Sequence, residues 1–120
     1  MFTLEVVILY EVIYYEDEKE SPVEDFILEQ LPKEQAKIIR SIDLLEEFGL
    51  SLGMPHIRKI VNYELWELRI QLGNNIFRVL FKDLNNNEFV LLHGFQKKTD
   101  KLPQKEINIA LRRLEKYLER

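Results

Sequence analysis

Two arginines, a histidine and a run of lysines stand out for what their types and spacing could do. Arg69 and Arg78 flank a Gly73-Asn74-Asn75 turn signal, and His93 follows an Asn85-Asn86-Asn87 turn signal. Lys97, Lys98 and Lys101 come directly after His93. Side chains alternate across a strand, so Arg69 shares one face with Glu67 and Gln71. A two-residue turn at Gly73-Asn74 sets Arg69 opposite Arg78, and one at Asn85-Asn86 sets Arg78 opposite His93. The three form a basic row on strands about 4.8 Å apart. Like charges directly opposed are destabilising, so such a row is more natural with an anion on it. The lysines that follow can touch phosphates as flexible point charges. Tyr63 is a candidate surface for stacking a base, whereas Trp66 reads as core. The ordinary alternative stays open. Arg69 and Arg78 can form exposed salt bridges with Glu67, Glu64 or Glu88, His93 can be a half-buried, hydrogen-bonded histidine, and a basic loop can simply be solvated.

These residues need a sheet to hold them. Phe2 to Tyr15 is rich in Val, Ile and Tyr and predicts a strand. Ser21-Pro22-Val23-Glu24 reads as a helix start with a capping box, and that helix runs to about Leu31. Pro32 opens a second helix with Ala36, Ile39, Ile42 and Leu45 on one stripe, ended by Gly49. His56 to Val61 is a short extended segment. Three strands follow, over Leu65 to Leu72, Ile76 to Phe81 and Phe89 to Phe95, joined by hairpin turns. Pro103 opens a last helix carrying Ile107, Ala110, Leu111, Leu114 and Leu118 on one stripe. Trp66, Leu68, Ile70, Leu72, Phe77, Val79, Phe81, Val90 and Leu92 are assigned to the core face. The expected fold is α+β: an antiparallel sheet, made of the N-terminal strand and a three-stranded meander. An N-terminal helical hairpin and a C-terminal helix cover one face of it.

The chain has 120 residues, 46% hydrophobic and 32% charged, which fits one domain over residues 1–120. No cysteine is present, which removes disulfides, thiolate metal sites and cysteine nucleophiles. Two histidines make a multi-histidine metal centre unexpected, and no cofactor motif occurs: the four glycines are scattered. Apolar runs are short and broken by charge, so no transmembrane helix is expected. Met1 to Tyr10 carries Glu5 and lacks a basic region, so no signal peptide is expected there. A soluble, cytoplasmic protein follows as the expectation. The net charge of −4 argues mildly against a general nucleic-acid binder. Its distribution is uneven: residues 1–55 carry −9, residues 56–101 carry +3 and residues 102–120 carry +2. An acidic front and a basic back predict two electrostatic faces.

Four blocks, in order, resemble a known family. The first is Ser21-Pro22-Val23-Glu24-Asp25-Phe26 with a later Leu44-Leu45-Glu46-Glu47-Phe48-Gly49 helix end. The second is Gly53-Met54-Pro55-His56. The third is Leu65-Trp66-Glu67-Leu68-Arg69 followed by Phe77-Arg78-Val79-Leu80-Phe81. The fourth is Leu91-Leu92-His93-Gly94-Phe95-Gln96-Lys97-Lys98-Thr99, with Lys101, Pro103, Glu106-Ile107 and Ala110. Together, over roughly residues 14 to 120, they resemble the phage-derived, HigB-type toxins of the RelE/ParE superfamily.

The resemblance implies the toxin of a type II toxin–antitoxin system: a ribosome-dependent mRNA endoribonuclease that needs no metal. Its partners would be mRNA on the ribosome and a small helix-turn-helix antitoxin, with which it would oligomerise. Under that resemblance Arg69 and Arg78 face the phosphate, Lys97 or Lys98 is the acid or base, and His93 is a second candidate. Lys101 and Tyr63 are assigned to RNA binding. The chain departs from the family in its acidic balance, in Leu102 before Pro103, and in an apolar first dozen residues. Two other functions compete: a ParE-like toxin that inhibits DNA gyrase, and a non-catalytic degenerate toxin that serves as a binding module. A Lys/Arg/His row favours the nuclease, since ParE-type members usually lack one.

Overall fold

A computed structural model describes residues 9–97 and 101–120. The elements in chain order are β1 (Glu11–Tyr14), α1 (Pro22–Leu28), α2 (Pro32–Phe48) and a 3-10 turn (Gly49–Leu52). Then come β2 (Ile57–Ile60), β3 (Leu65–Leu72), β4 (Asn75–Leu84), β5 (Glu88–Gln96) and α3 (Gln104–Leu118). The fold class is α+β, and the five strands form one sheet in the order β1-β5-β4-β3-β2. The first part of the expected N-terminal strand, residues 1–8, lies outside the described residues. No described helix is long and apolar enough to cross a membrane.

Local chemistry accounts for the element ends. Pro22 and Pro32 open α1 and α2, where a missing N–H costs nothing. α1 stops at Leu28, short of the expected Leu31, because Leu31 precedes a proline and is held extended at ψ 155°. The capping box expected at Ser21 does not form; Ser21 Oγ is buried without a partner. One helix later, Glu34 Oε1 accepts the Leu31 backbone N–H at 3.1 Å. Gly49 ends α2 at φ 59°, a conformation that favours glycine.

Two expectations about the layers are corrected. The sheet is mixed, because β1 runs parallel to β5 while the other pairs are antiparallel. Alternation reveals that a strand exists but not its direction, which is set by where the long α1–α2 connection re-enters the sheet. The helices also cover both faces. α1 and α2 pack with Val23, Ile27, Ile38, Ile42 and Leu45 against Leu68, Ile70, Phe77, Val79, Phe81, Phe89 and Leu91. α3 packs Ile107 and Ala110 against Leu65, Leu80, Val90 and Leu92 on the opposite face. On α2 the buried stripe is Ile38, Ile42 and Leu45, while Ala36 and Ile39 point outward. The apolar runs of β4 and β5 therefore suit strands buried on both sides.

The two hairpins differ. Gly73-Asn74 is the expected two-residue turn, with Leu72 opposite Asn75 and Arg69 opposite Arg78. The second turn takes three residues, Asn85 to Asn87, because Leu84 pairs with Glu88. Asn86 and Asn87 adopt positive φ of 66° and 60°, which asparagine tolerates. A bulge follows: Leu80 faces His93 and Phe81 faces Leu91, leaving Leu92 as the extra residue. This one-residue change in parity moves Val90 and Leu92 from the expected face to the α3 side.

Gly94 lies opposite Val79 on the α1 side of β5. A Cβ there would stand 2.5 Å from the ring of Phe26, which itself packs edge-on to Phe77 at 6.3 Å. Gly94→Ala is expected to destabilise the protein by about 1–3 kcal/mol through overpacking. A fall in the urea midpoint measures this, and an unchanged midpoint would show that α1 yields freely.

Candidate active site

On the α3 side, the register arranges the chemistry-bearing residues in three successive rows across β3, β4 and β5. The first is Glu67–Leu80–His93 and the second is Arg69–Arg78–Phe95. The third is Gln71–Ile76–Lys97, where the Lys97 N–H bonds the Ile76 carbonyl at 3.1 Å. Rows on one face are about 6.8 Å apart, twice the rise per residue. The expected opposition of Arg69 and Arg78 is present. His93 is one row away from Arg78, and Phe95 occupies the place expected for it, because of the longer turn and the bulge.

Arg78 is not an exposed cation. It and Glu67 each retain 1% exposure, and Arg78 Nη1 donates to Glu67 Oε2 at 3.0 Å. Arg58, directly across from Glu67 on β2, brings Nη2 to 3.7 Å from Glu67 Oε1 and is half exposed. Arg69 is half-buried and its Nη1 reaches Gln71 Oε1 at 3.4 Å. Two guanidinium groups thus reach one buried carboxylate, and Arg69 adds a third positive charge across from Arg78. Glu67 relieves the repulsion of the opposed pair from a diagonal position, and a net positive charge remains. The site takes its buried part, Glu67 and Arg78, from β3 and β4 and its more accessible part, Arg58 and Arg69, from β2 and β3.

His93 has a different role. Its Nδ1 lies 3.0 Å from Arg113 Nη1 and its Nε2 lies 2.9 Å from Glu106 Oε2. A guanidinium can only donate, so Nδ1 accepts and the ring proton sits on Nε2, donated to the carboxylate. Arg113 also donates to the Leu92 carbonyl at 2.9 Å, and Phe95 stacks on the imidazole at 5.5 Å. Burial lowers the His93 pKa from its ordinary 6.5, against the opposing pull of Glu106. His93 therefore fastens α3 to β5 as a neutral ring with both nitrogens engaged.

The remaining expected residues divide. Lys97 is partly exposed and lines a groove with Phe95, Gln96, Pro103, Lys105 and Glu106. Lys101 is exposed at the approach to α3, and Lys98 lies outside the described residues. The Tyr63 hydroxyl donates to Gln104 Oε1 at 3.1 Å, and its ring packs with the α3 cluster, so it braces the β2–β3 turn. Trp66 packs against the core, with its Nε1 donating to Asp83 Oδ1 at 3.2 Å. Sequence reasoning missed Arg58, whose signal was available: an antiparallel pairing of 56–61 with 65–72 sets it across from Glu67. It also treated Glu67 as an ordinary surface counter-ion.

A family model described as phage derived protein Gp49-like matches residues 25–115 of the chain. No curated protein matches it.

Two measurements check this geometry. Arg78→Ala strands a buried carboxylate and is expected to cost about 3–5 kcal/mol, whereas Arg69→Ala stays within about 1 kcal/mol. Equal losses in denaturant titrations would contradict the burial difference. For His93, the unfolded chain binds its proton at higher pH than the folded one, so stability rises with pH. That contribution is complete above 6.5 and is lost as pH falls through 6.5 toward the lowered folded value. Wild type should lose more stability than His93→Gln between about pH 8 and about pH 5; parallel losses would place the proton elsewhere.

Proposed function

The chain belongs to the phage-derived Gp49-like family, a toxin-like family, and from that premise we propose that it is the toxin of a type II toxin–antitoxin pair, acting as a metal-independent endoribonuclease on ribosome-bound mRNA. A helix-turn-helix antitoxin is its partner in this reading. The observation that supports it most is the Arg58–Glu67–Arg78–Arg69 cluster, one row from Lys97 on the same face. An excess of guanidinium groups beside an accessible lysine suits a crowded phosphodiester, whose charge grows as it reacts.

The chemistry proceeds by displacement at phosphorus. The ribose 2′-oxygen bonds to phosphorus as its proton passes to a base. The bond from phosphorus to the 5′-oxygen breaks, and that oxygen takes a proton from an acid, leaving a 2′,3′-cyclic phosphate and a 5′-hydroxyl. Lys97 or Lys98 is the acid or base of this reading. Arg69 meets the non-bridging oxygens, and Arg78, held behind it by Glu67, adds positive potential. His93 is left out of proton transfer, because Glu106 and Arg113 occupy both its nitrogens.

A second reading, a non-catalytic or gyrase-directed toxin, draws support from the burial of Arg78. Induced expression with primer extension on a reporter mRNA separates the two. Wild type should arrest growth and create new 5′ ends inside the translated frame. Arg69→Ala and Lys97→Ala should lower the yield of ends at least about a hundredfold, the range of acid–base and charge-stabilising groups. Arrest without new ends would overturn the nuclease reading, and supercoiling inhibition would then identify gyrase.

A further inference from the structure

A second concave site lies along α3, apart from the arginine cluster. It is lined by Tyr15, Asp17, Glu20, Arg112, Arg113 and Lys116. Tyr15 is 1% exposed, and its hydroxyl has no hydrogen-bond partner. A buried hydroxyl without a partner costs free energy, which makes it a donor still wanting an acceptor. Arg120 lies over the Tyr15 ring at 5.1 Å, adding positive charge nearby.

The charges of the site are unequally occupied. Arg113 is committed to Leu92, His93 and, at 3.8 Å, Glu20. Asp17 turns its Oδ1 to the backbone N–H groups of Lys19 and Glu20, at 2.9 and 3.0 Å. Arg112 and Lys116 are exposed, and neither forms an ion pair among the described residues. Asp17 and Glu20 line the same site, so against Arg112, Arg113 and Lys116 it keeps one net positive charge, and the two exposed cations with the unpartnered Tyr15 hydroxyl suit an oxyanion with several acceptor oxygens.

The site is also connected. At 100° per residue, Lys105, Arg112 and Lys116 fall on one stripe of α3. They span about 16 Å at the helical rise. Lys105 belongs to the groove that contains Lys97. The stripe therefore runs from the proposed cleavage groove to the Tyr15 pocket, where it meets the turn that carries Asp17 and Glu20.

We infer that α3 carries a track for the sugar-phosphate backbone of a single RNA strand, running from Lys97 and Lys105 to a phosphate pocket formed by Tyr15, Arg112 and Lys116. This inference rests on the nuclease reading for the identity of the strand. The track holds substrate by its phosphates, independently of base sequence.

Fluorescence anisotropy with a labelled oligouridylate of about 12 nucleotides tests it. Arg112→Ala/Lys116→Ala should weaken binding about tenfold and flatten the salt dependence of log K by about 1.4, the release from two single-strand contacts. Lys37→Ala/Arg40→Ala on α2 removes equal charge from the other layer and should leave the slope as in wild type. Tyr15→Phe should weaken binding several-fold with no change in slope. The track is overturned if the Arg112/Lys116 variant behaves like the Lys37/Arg40 control, or if wild type does not bind the oligonucleotide. It is also overturned if a polyglutamate peptide displaces the RNA at lower concentration than unlabelled RNA does, which would make the pocket a protein-docking site. The nuclease reading is judged separately, by primer extension in cells. If the Arg112/Lys116 variant cuts mRNA and binds the oligonucleotide as wild type does, the nuclease stands and the track falls.

Discussion

A carboxylate with 1% exposure sits in the middle of this sheet, and the site around it follows from the need to keep it neutralised. Glu67 cannot be dissolved by water, so it requires a cation of its own depth, and Arg78 supplies it at 3.0 Å. Arg78 in turn stands directly opposite Arg69, which places a second guanidinium beside the pair. Arg58 approaches the other carboxylate oxygen from β2. A buried pair of this kind is poor evidence for stability, because desolvation offsets most of the attraction. It does impose position. Arg78 and Arg58 are located by that buried carboxylate, and Arg69 adds a further positive charge across from Arg78.

Two polar devices divide the α3 face between them. The glutamate–arginine cluster belongs to β2, β3 and β4, while His93, Glu106 and Arg113 join β5 to α3. The second device works only with a neutral imidazole, since Arg113 donates to Nδ1. The charge pattern of the chain maps onto these layers. The acidic first half supplies β1, the 16–20 turn, α1 and α2, and the more basic residues from position 56 onward supply β2 to β5 and α3. The positive charge of an overall acidic chain is thus concentrated in its second half, and local charge rather than the sum steers a polyanion.

Much of this was legible in the residues. β3 runs over Leu65–Leu72 as its alternation indicates, and Gly73-Asn74 sets the opposition of Arg69 and Arg78. The second hairpin was not legible in register. Three consecutive asparagines are all competent turn formers, and nothing local distinguishes a two-residue turn from the three-residue turn found. The bulge at Leu92 adds a further shift that depends on the packing of both faces. Alternation also reports which face a residue occupies but not whether something covers that face. Arg78 therefore reads like Arg69 in the sequence, although one is buried and the other is partly open. The continuous runs Val79-Leu80-Phe81 and Phe89 to Leu92 are the signal that both faces are covered, and they place α3 opposite the hairpin.

The pairing of β1 with β5 has a consequence for how the chain reaches this structure. Glu11 meets Glu88 across most of the length of the protein, whereas β3, β4 and β5 are joined by turns of two and three residues. Closing a long loop loses far more chain entropy before any contact rewards it. The meander can assemble from neighbours, and the N-terminal strand can dock only on a β5 that already exists. Chain entropy therefore favours pairing within the meander ahead of the β1–β5 pairing. During synthesis, β1 and the acidic helices are made before β2 to β5, the strands that their apolar sides pack against.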